Sequence, residues 1–222
     1  MKKGHLFIMA ALFLFAGISI VIARAPSANL EDVVNGAIHT SGVQSDGSIM
    51  LGGDFTDGYI LRVGDENVVD DSFGSSNTSG LFNGPVNKLA VLGDDSMVVA
   101  GDFSVYDQQI VGYIVKIGAN GEVDQSFIRN MGTGFDGPVK SFDLMENGQI
   151  VVAGDFQKYD GYSSPGLIRL NGDGSIDKSL NVGSGFNHTV NTVKVLQSGE
   201  IMVGGSFTEF NGEPALYVAR VK

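Results

Sequence analysis

One eleven-residue phrase occurs four times in this chain of 222 residues, and no other feature limits the fold as strongly. It reads SDGSIMLGGDF at 45–55, GDDSMVVAGDF at 93–103, ENGQIVVAGDF at 146–156 and QSGEIMVGGSF at 197–207. The phenylalanines that close the four phrases are 48, 53 and 51 residues apart. Repeats of this period are typical of propeller blades, solenoids and arrays.

The pattern inside each unit predicts about four β-strands. The valine-rich runs MVVAGDF and IVVAGDF suit strands that are covered on both faces, and the Asp-Gly or Asn-Gly pair before such a run suits a tight hairpin. A second hairpin is predicted at GANGEVD and NGDGSID, and no helical period occurs between Pro26 and Lys222. These units predict an all-β fold, a four-bladed β-propeller with repeats at approximately 28–82, 83–134, 135–186 and 187–222.

Closure of the predicted ring depends on the last unit, which lacks its outermost strand. The segment ANLEDVV at 28–34 is the remaining strand candidate, and we expect it to pair with the final blade and close the ring. If it does not, the exposed edges of the first and last blades need a partner chain.

The N-terminal residues 1–25 differ from the rest and are predicted to be a signal-anchor or a signal peptide. Lys2 and Lys3 precede Leu6–Ala23, an uncharged apolar segment long enough to span a membrane. A small-x-small cleavage motif follows, but Pro26 behind it makes a poor protease substrate, so retention as a single-pass anchor is favoured over cleavage. The two lysines predict a cytoplasmic N-terminus and a periplasmic or extracellular domain 26–222.

The repeats resemble the delta-60 repeat, a β-propeller repeat of exported bacterial proteins. The resemblance covers about 28–222 and rests on the GPV opening, the DG or NG turn, GGDF or AGDF, and the closing DGSID hairpin. The fourth copy departs from the pattern, because Ser206 stands where the others have aspartate and the closing hairpin is missing. The resemblance implies a propeller fold and no particular activity.

Composition narrows the choice of partners and cofactors. Without Lys2, Lys3 and Arg24 the remainder has 11 basic and 25 acidic residues, a net charge of −14, which disfavours nucleic acid and anionic lipid head groups. The chain has no cysteine, so a thiolate metal site, a disulfide and a cysteine nucleophile are excluded. We expect no cofactor.

The repeated phrase itself is interpreted as structural, because a catalytic loop would not be copied into every unit. The glycines suit close backbone approach, the aspartates suit hydrogen bonding in turns, and the phenylalanines suit a core between blades. These residues are Gly53, Asp54, Phe55, Gly101, Asp102, Phe103, Gly154, Asp155, Phe156, Gly205 and Phe207.

Two further groups are functional candidates. Acid-rich turns make Asp124, Asp173 and Asp177 weak calcium ligands, although Asp-Gly turns also occur for backbone reasons alone. The loops after the repeated phrase vary most and predict an interaction surface, with aromatic residues that alternatively cap the core of each blade. The interaction candidates are Tyr106, Gln108, Gln109, Tyr159, Tyr162, Ser163 and Phe210.

The sequence therefore predicts a non-enzymatic, membrane-anchored, exported propeller. It would act as a protein-interaction scaffold or as an accessory subunit of a membrane or cell-envelope assembly. The alternative is a secreted propeller that binds or processes glycans, since propellers of many functions share this fold.

Overall fold

The computed structural model describes residues 30–55, 58–64, 68–70, 72–73 and 81–222, and these are mostly β-strand. In chain order the elements are α1 (Leu30–Val33), β1 (Ala37–Val43), β2 (Ile49–Asp54), β3 (Ile60–Val63), β4 (Val86–Val91), β5 (Met97–Gly101), β6 (Val105–Tyr106), β7 (Gln109–Ile110), β8 (Ile114–Ile117), α2 (Gln125–Met131), β9 (Val139–Leu144), β10 (Ile150–Gly154), β11 (Lys158–Tyr159), β12 (Tyr162–Ser163), β13 (Leu167–Leu170), β14 (Val190–Val195), β15 (Ile201–Gly205), β16 (Glu209–Phe210), β17 (Glu213–Pro214) and β18 (Val218–Val221).

The long strands form four antiparallel sheets of three strands, ordered β1-β2-β3, β4-β5-β8, β9-β10-β13 and β14-β15-β18. In each sheet a tight turn joins the first two strands, as the Asp-Gly and Asn-Gly pairs predict, and a β-bulge interrupts the first strand. The first strands pack side by side, β1 on β4, β4 on β9 and β9 on β14. They are therefore the innermost strands of successive propeller-like blades.

Apolar side chains fill the spaces between consecutive sheets. Val86 and Leu89 of the second sheet pack against Met50 and Ile60 of the first, and equivalent clusters lie between the second and third sheets and between the third and fourth. The middle strands β5 and β10 are buried along their whole length, which explains their continuous valine-rich sequence. The prediction of a propeller-like, mostly β fold is confirmed.

A fourth strand exists only as an isolated bridge at the outer edge of the first three sheets. The bridges are Val63–Val69, Ile117–Val123 and Leu170–Ile176. The fourth sheet, described completely within 187–222, has three strands. Within the described ranges no packing comparable to that between consecutive sheets joins the fourth sheet to the first.

The predicted closing strand at 28–34 is wrong where the structure describes it. Leu30–Val33 form the short helix α1, and residues 28 and 29 lie outside the described part. Leu30, Val33 and Val34 are spaced so that a single helical turn places them together, and they pack against the cluster of Phe55, Leu61 and Val69 in the first sheet. The segment therefore covers the first blade instead of completing the last one.

A second helix, α2, was also not expected from the periodicity. Asp124 caps its N-terminus, and Phe127 and Met131 on one face are buried against the third sheet. No described helix is long and apolar enough to cross a membrane, and the predicted anchor Leu6–Ala23 lies outside the described residues.

Candidate functional site

Three short hairpins project from one rim of the blades, directly after the repeated phrase. They are β6-β7, β11-β12 and β16-β17, each closed by a two-residue turn. Both turn residues have positive φ in every case, for example Asp107 at 43° and Gln108 at 65°, which is the geometry of a type I′ turn. Asp160-Gly161 and Asn211-Gly212 occupy the same positions in the other two hairpins. The rim therefore has one backbone design repeated three times.

The side chains at the hairpin tips differ from one unit to the next. Ile110 is 76% exposed in the first hairpin and Tyr162 is 37% exposed in the second. Gln108 and Ser163 are also exposed, whereas Gln109 is half-buried and accepts a hydrogen bond from the side-chain amide of Gln125 at 3.0 Å. Four of the predicted interaction residues therefore lie at or beside these tips.

An aromatic triplet anchors the base of each hairpin. Phe82 lies between Phe103 and Tyr106, with ring centroids 4.2 and 4.5 Å away. The later units repeat this with Phe135, Phe156 and Tyr159, and with Phe186, Phe207 and Phe210. Contacts of this kind contribute roughly 0.5–1.5 kcal/mol beyond burial alone. The first member of each triplet was missed from the sequence, although a phenylalanine three residues before the first strand recurs at LFNGPV, GFDGPV and GFNHTV.

The structure places Tyr106 and Tyr159 in the core and not on the interaction surface. Their hydroxyls donate to the carbonyl oxygens of Gly121 and Gly174, at 2.5 and 2.6 Å. Burial raises the pKa of both phenols well above the ordinary value. Phe210 is half-buried and stacks on Phe186. These three aromatics follow the alternative reading, in which they cap the core of their blades.

The glycine of the repeated phrase stands where two strands approach most closely. A Cβ atom on Gly154 would lie 2.3 Å from the carbonyl oxygen of Pro138, and on Gly101 2.1 Å from that of Pro85. Gly53 and Gly205 have the same contact, at 2.0 and 2.2 Å from carbonyl oxygens. Only glycine fits this position without moving the strands apart.

The other residues of the phrase have separate structural roles. The phenylalanines Phe55, Phe103, Phe156 and Phe207 are all buried. Asp102 connects sheets, because its carboxylate accepts from the Asn87 side chain at 2.7 Å and from Lys140 Nζ of the next sheet at 2.9 Å. Asp54 and Asp155 are exposed at the same edge.

The calcium candidate Asp124 is engaged in holding a helix. Its carboxylate accepts from the backbone N–H groups of Ser126 at 2.9 Å and Phe127 at 3.1 Å, and Lys116 Nζ lies 3.7 Å away. Partial burial opposes ionisation of this carboxyl, but the hydrogen bonds outweigh it and lower the pKa.

Asp173 and Asp177 have similar structural partners. Asp173 accepts from the backbone N–H of Ser175 at 3.0 Å in a tight turn. Asp177 accepts from the backbone N–H of Ser179 at 2.9 Å and from Arg169 Nε at 2.6 Å, and these contacts, led by the Ser179 N–H, lower its pKa to about 2. Across the part of the chain that the structure describes, no three acidic or histidine side chains are grouped as metal ligands would be.

A cleft of about 510 Å³ opens at the opposite rim, between the turns of the second and third sheets. Its walls are the apolar residues Leu92, Leu144 and Met145, with Asp94 and Lys116 at the side. Asp94 accepts from the backbone N–H of Ser96 at 3.1 Å, so its carboxylate serves the turn. The cleft thus has an apolar floor and no converging polar groups of the kind that orient a small ligand.

The comparisons with known proteins agree with this architecture. The family described as "Domain of unknown function (DUF5122) beta-propeller" matches residues 92–127, 146–180 and 196–222. Among curated proteins, none matches this sequence.

Solved structures show the same fold at low sequence identity. The WD40 β-propeller domain of Doa1 has a TM-score of 0.55 and 18% identity, over 84% of this chain and 51% of that chain. The extracellular domain of BT4673 from B. thetaiotaomicron has a TM-score of 0.47 and 17% identity, over 84% of this chain and 21% of that chain. A protein of unknown function from Bacteroides caccae has a TM-score of 0.43 and 14% identity, over 85% and 61%.

This chain spans about half the length of the WD40 domain. The likeness concerns the fold alone, because the identity is 18%. With its repeated antiparallel sheets packed face to face, the chain is a β-propeller repeat protein.

Proposed function

We propose that this chain is a non-enzymatic protein-interaction module that binds a protein partner through the hairpin rim. The supporting observation is the contrast between the three hairpins, which share one backbone geometry and differ in their exposed side chains. A rigid scaffold that presents variable loops is the usual arrangement of a recognition surface. The aromatic triplets beneath the tips supply the rigidity.

The chemistry of the tips suits another protein. Ile110 and Tyr162 offer apolar and aromatic contact area, while Gln108 and Ser163 offer neutral hydrogen-bonding groups. The formal net charge of −11 opposes binding to nucleic acid. A protein surface with an apolar centre and polar margin is the best match to such a rim.

A role without catalysis is supported by the engagement of the acidic residues. Asp124, Asp173 and Asp177 each accept backbone hydrogen bonds that hold a turn or a helix end. Carboxylates fixed in this way are poor general bases, since the low pKa that such bonds give leaves little affinity for a proton.

Export and membrane anchoring form the second part of the proposal, and the support is the N-terminal sequence. Lys2 and Lys3 ahead of Leu6–Ala23 indicate an anchor that leaves the blades periplasmic or extracellular. The delta-60 type of repeat, assigned from the GPV, GGDF and DGSID markers, is typical of exported proteins. Fractionation tests this part: the chain should stay with membranes after a high-salt wash, whereas recovery from the medium would support the secreted alternative.

The interaction surface is tested by photo-cross-linking from defined positions in cells. Benzoylphenylalanine at Gln108 or Tyr162 should give a discrete adduct with another protein. Asn147 and Ser198, which are exposed in turns at the opposite rim, serve as matched controls and should give none. Equal adducts from both rims contradict the proposed surface. Absence of adducts, together with binding to a glycan array, would favour the glycan-binding alternative.

A further inference from the structure

The two end sheets each present a face that has no neighbouring sheet in the structure. Every sheet has a backward face toward the preceding sheet and a forward face toward the next one. The backward face of the first sheet and the forward face of the fourth are left open. The strand register gives the equivalent positions in the inner sheets, so the end faces can be compared with buried ones residue by residue.

The backward face of the first sheet keeps the apolar residues of a buried interface. Ile38 is 47% exposed, whereas its equivalents Val86, Val139 and Val190 are all fully buried against the preceding sheet. Ile49 is 38% exposed, and its equivalents in the other three sheets are likewise buried. A terminal repeat that ended the fold would carry a polar outer face.

The forward face of the fourth sheet shows the same property. Val218 is 57% exposed, while its equivalents Ile60, Ile114 and Leu167 are buried against the following sheet. Leu216 beside it is also exposed. The two open faces are therefore of complementary kinds, because a forward face packs on a backward face at every inner junction.

The short helix α1 makes the two ends complementary in a second way. Inside the chain, the backward face of a sheet is covered by the segment that follows the outermost bridge of the preceding sheet, such as Phe127 and Met131 against the third sheet. The first sheet already has this cover from Leu30, Val33 and Val34. The fourth sheet, in the fully described range 187–222, has no outer bridge and no such segment. The element missing at one end is present at the other.

Charge also permits the two ends to meet. At the inner junction, Asp102 at the strand edge contacts Lys140 in the bulge of the next sheet. The register puts Ser206 and His39 at the corresponding positions of the end faces. The departure of the fourth repeat from aspartate therefore leaves no carboxylate to bury at this junction.

We propose that a second copy of this chain docks on these faces, so that two copies close one ring of eight sheets. The forward face of each fourth sheet packs on the backward face of the first sheet of the other copy. The chain spans 51% of a WD40 propeller chain, so two copies supply a whole ring. Both junctions reuse the inner packing, and the ring closes with twofold symmetry.

Disulfide trapping tests the junction, because the chain has no cysteine of its own. A Cβ atom on Gly52 would lie 2.6 Å from Val86 Cγ1, so cysteines at an equivalent pair are within disulfide reach. The equivalent pair across the proposed junction is Gly204 and Ile38. The variant with Ile38→Cys and Gly204→Cys, prepared as the full chain in mild detergent and oxidised, should run as a covalent dimer on a non-reducing gel.

Three outcomes of this trapping are distinguished by matched variants. Gly52→Cys with Val86→Cys should form a disulfide within one chain and verifies the geometry. Ile110→Cys with Gly204→Cys places the first cysteine on the rim and should give no dimer. An intrachain disulfide between positions 38 and 204 would show that one chain closes its own ring, and a ladder of longer oligomers would show a filament. Either result, or an equal dimer yield from the rim control, overturns the proposal.

A charge placed on the open face tests the same junction without cysteines. Val218→Asp should raise the dissociation constant of the dimer at least about tenfold, because the junction would bury an unpaired carboxylate. Ile110→Asp, also at an exposed apolar residue but on the rim, should leave the dimer unchanged. Sedimentation velocity of the full chain in detergent measures both. A wild-type monomer, or a Val218→Asp dimer as tight as the wild type, contradicts the proposal.

Discussion

Replacing the glycine of the repeated phrase tests why that phrase recurs. In Gly154→Ala the new Cβ would lie 2.3 Å from the carbonyl oxygen of Pro138 and 3.0 Å from Val139 Cα. The two strands must separate by about 1 Å to restore contact distances, and overpacking of this kind costs about 3 kcal/mol. The same movement strains the 2.9 Å bond from the Asp155 N–H to Pro138, worth about 1 kcal/mol. We therefore expect a loss of about 3–4 kcal/mol in the free energy of unfolding.

Urea unfolding followed by far-UV circular dichroism measures this loss. Gly93→Ala is the matched control, because a Cβ there meets nothing within 4 Å and the residue does not have positive φ. The control should change the free energy of unfolding by less than about 1 kcal/mol. Gly101→Ala, with its Cβ 2.1 Å from the Pro85 carbonyl oxygen, should behave like Gly154→Ala. If Gly154→Ala unfolds at the same urea concentration as Gly93→Ala, close strand approach is not the reason for the repeated glycine.

Three further predictions concern the buried phenols, the low-pKa carboxyl and calcium. Tyr159→Phe should cost about 1–2 kcal/mol in urea unfolding, because the carbonyl oxygen of Gly174 loses its partner, whereas Tyr162→Phe at the exposed tip should be neutral; equal effects would contradict the burial argument. Asp177 has a folded pKa of about 2 against an ordinary value of 3.8, so its stabilisation is present above the ordinary pKa and is lost as pH falls through this window. Asp177→Asn should therefore flatten the dependence of stability on pH between these two values in acid unfolding, and an unchanged slope would refute the assignment. Calcium in place of EDTA should leave the melting temperature unchanged, and a rise of several degrees would restore the acidic turns as ligands.

The sheets and their core were predictable because the relevant information is local. Asp-Gly and Asn-Gly at a turn, followed by a valine-rich run, specify a hairpin and a strand covered on both faces, and this combination recurs four times. The recurrence also separated structure from chemistry, since Gly101 and Phe103 have the same surroundings as Gly154 and Phe156. Repetition thus supplied a comparison inside one chain.

The remaining features depend on contacts that are distant in sequence. Phe82 belongs with Phe103 and Tyr106, but it stands 21 residues before the first of them, and only the structure brings the three rings together. The helix α1 was misread as a strand because its few residues carry no period, and its fold is decided by the first sheet on which it packs. The interaction candidates were mixed for the same reason, because exposure of Gln108 and burial of Tyr106 differ within one hairpin.

The number of repeats in the chain is a poor guide to the number of blades in a ring. A closed ring of four sheets requires a turn of about 90° per sheet and a ring of eight about 45°, and the turn per repeat is set by the side chains between sheets. The small residues Gly52, Ala100 and Ala153 stand at one inter-sheet position, where Val86 and its equivalents pack against them, and they hold consecutive sheets at similar separations. Four such steps leave the ends apart in the structure. The exposed apolar residues Ile38 and Val218 are therefore the informative positions, because their chemistry suits a covered surface whichever chain covers it.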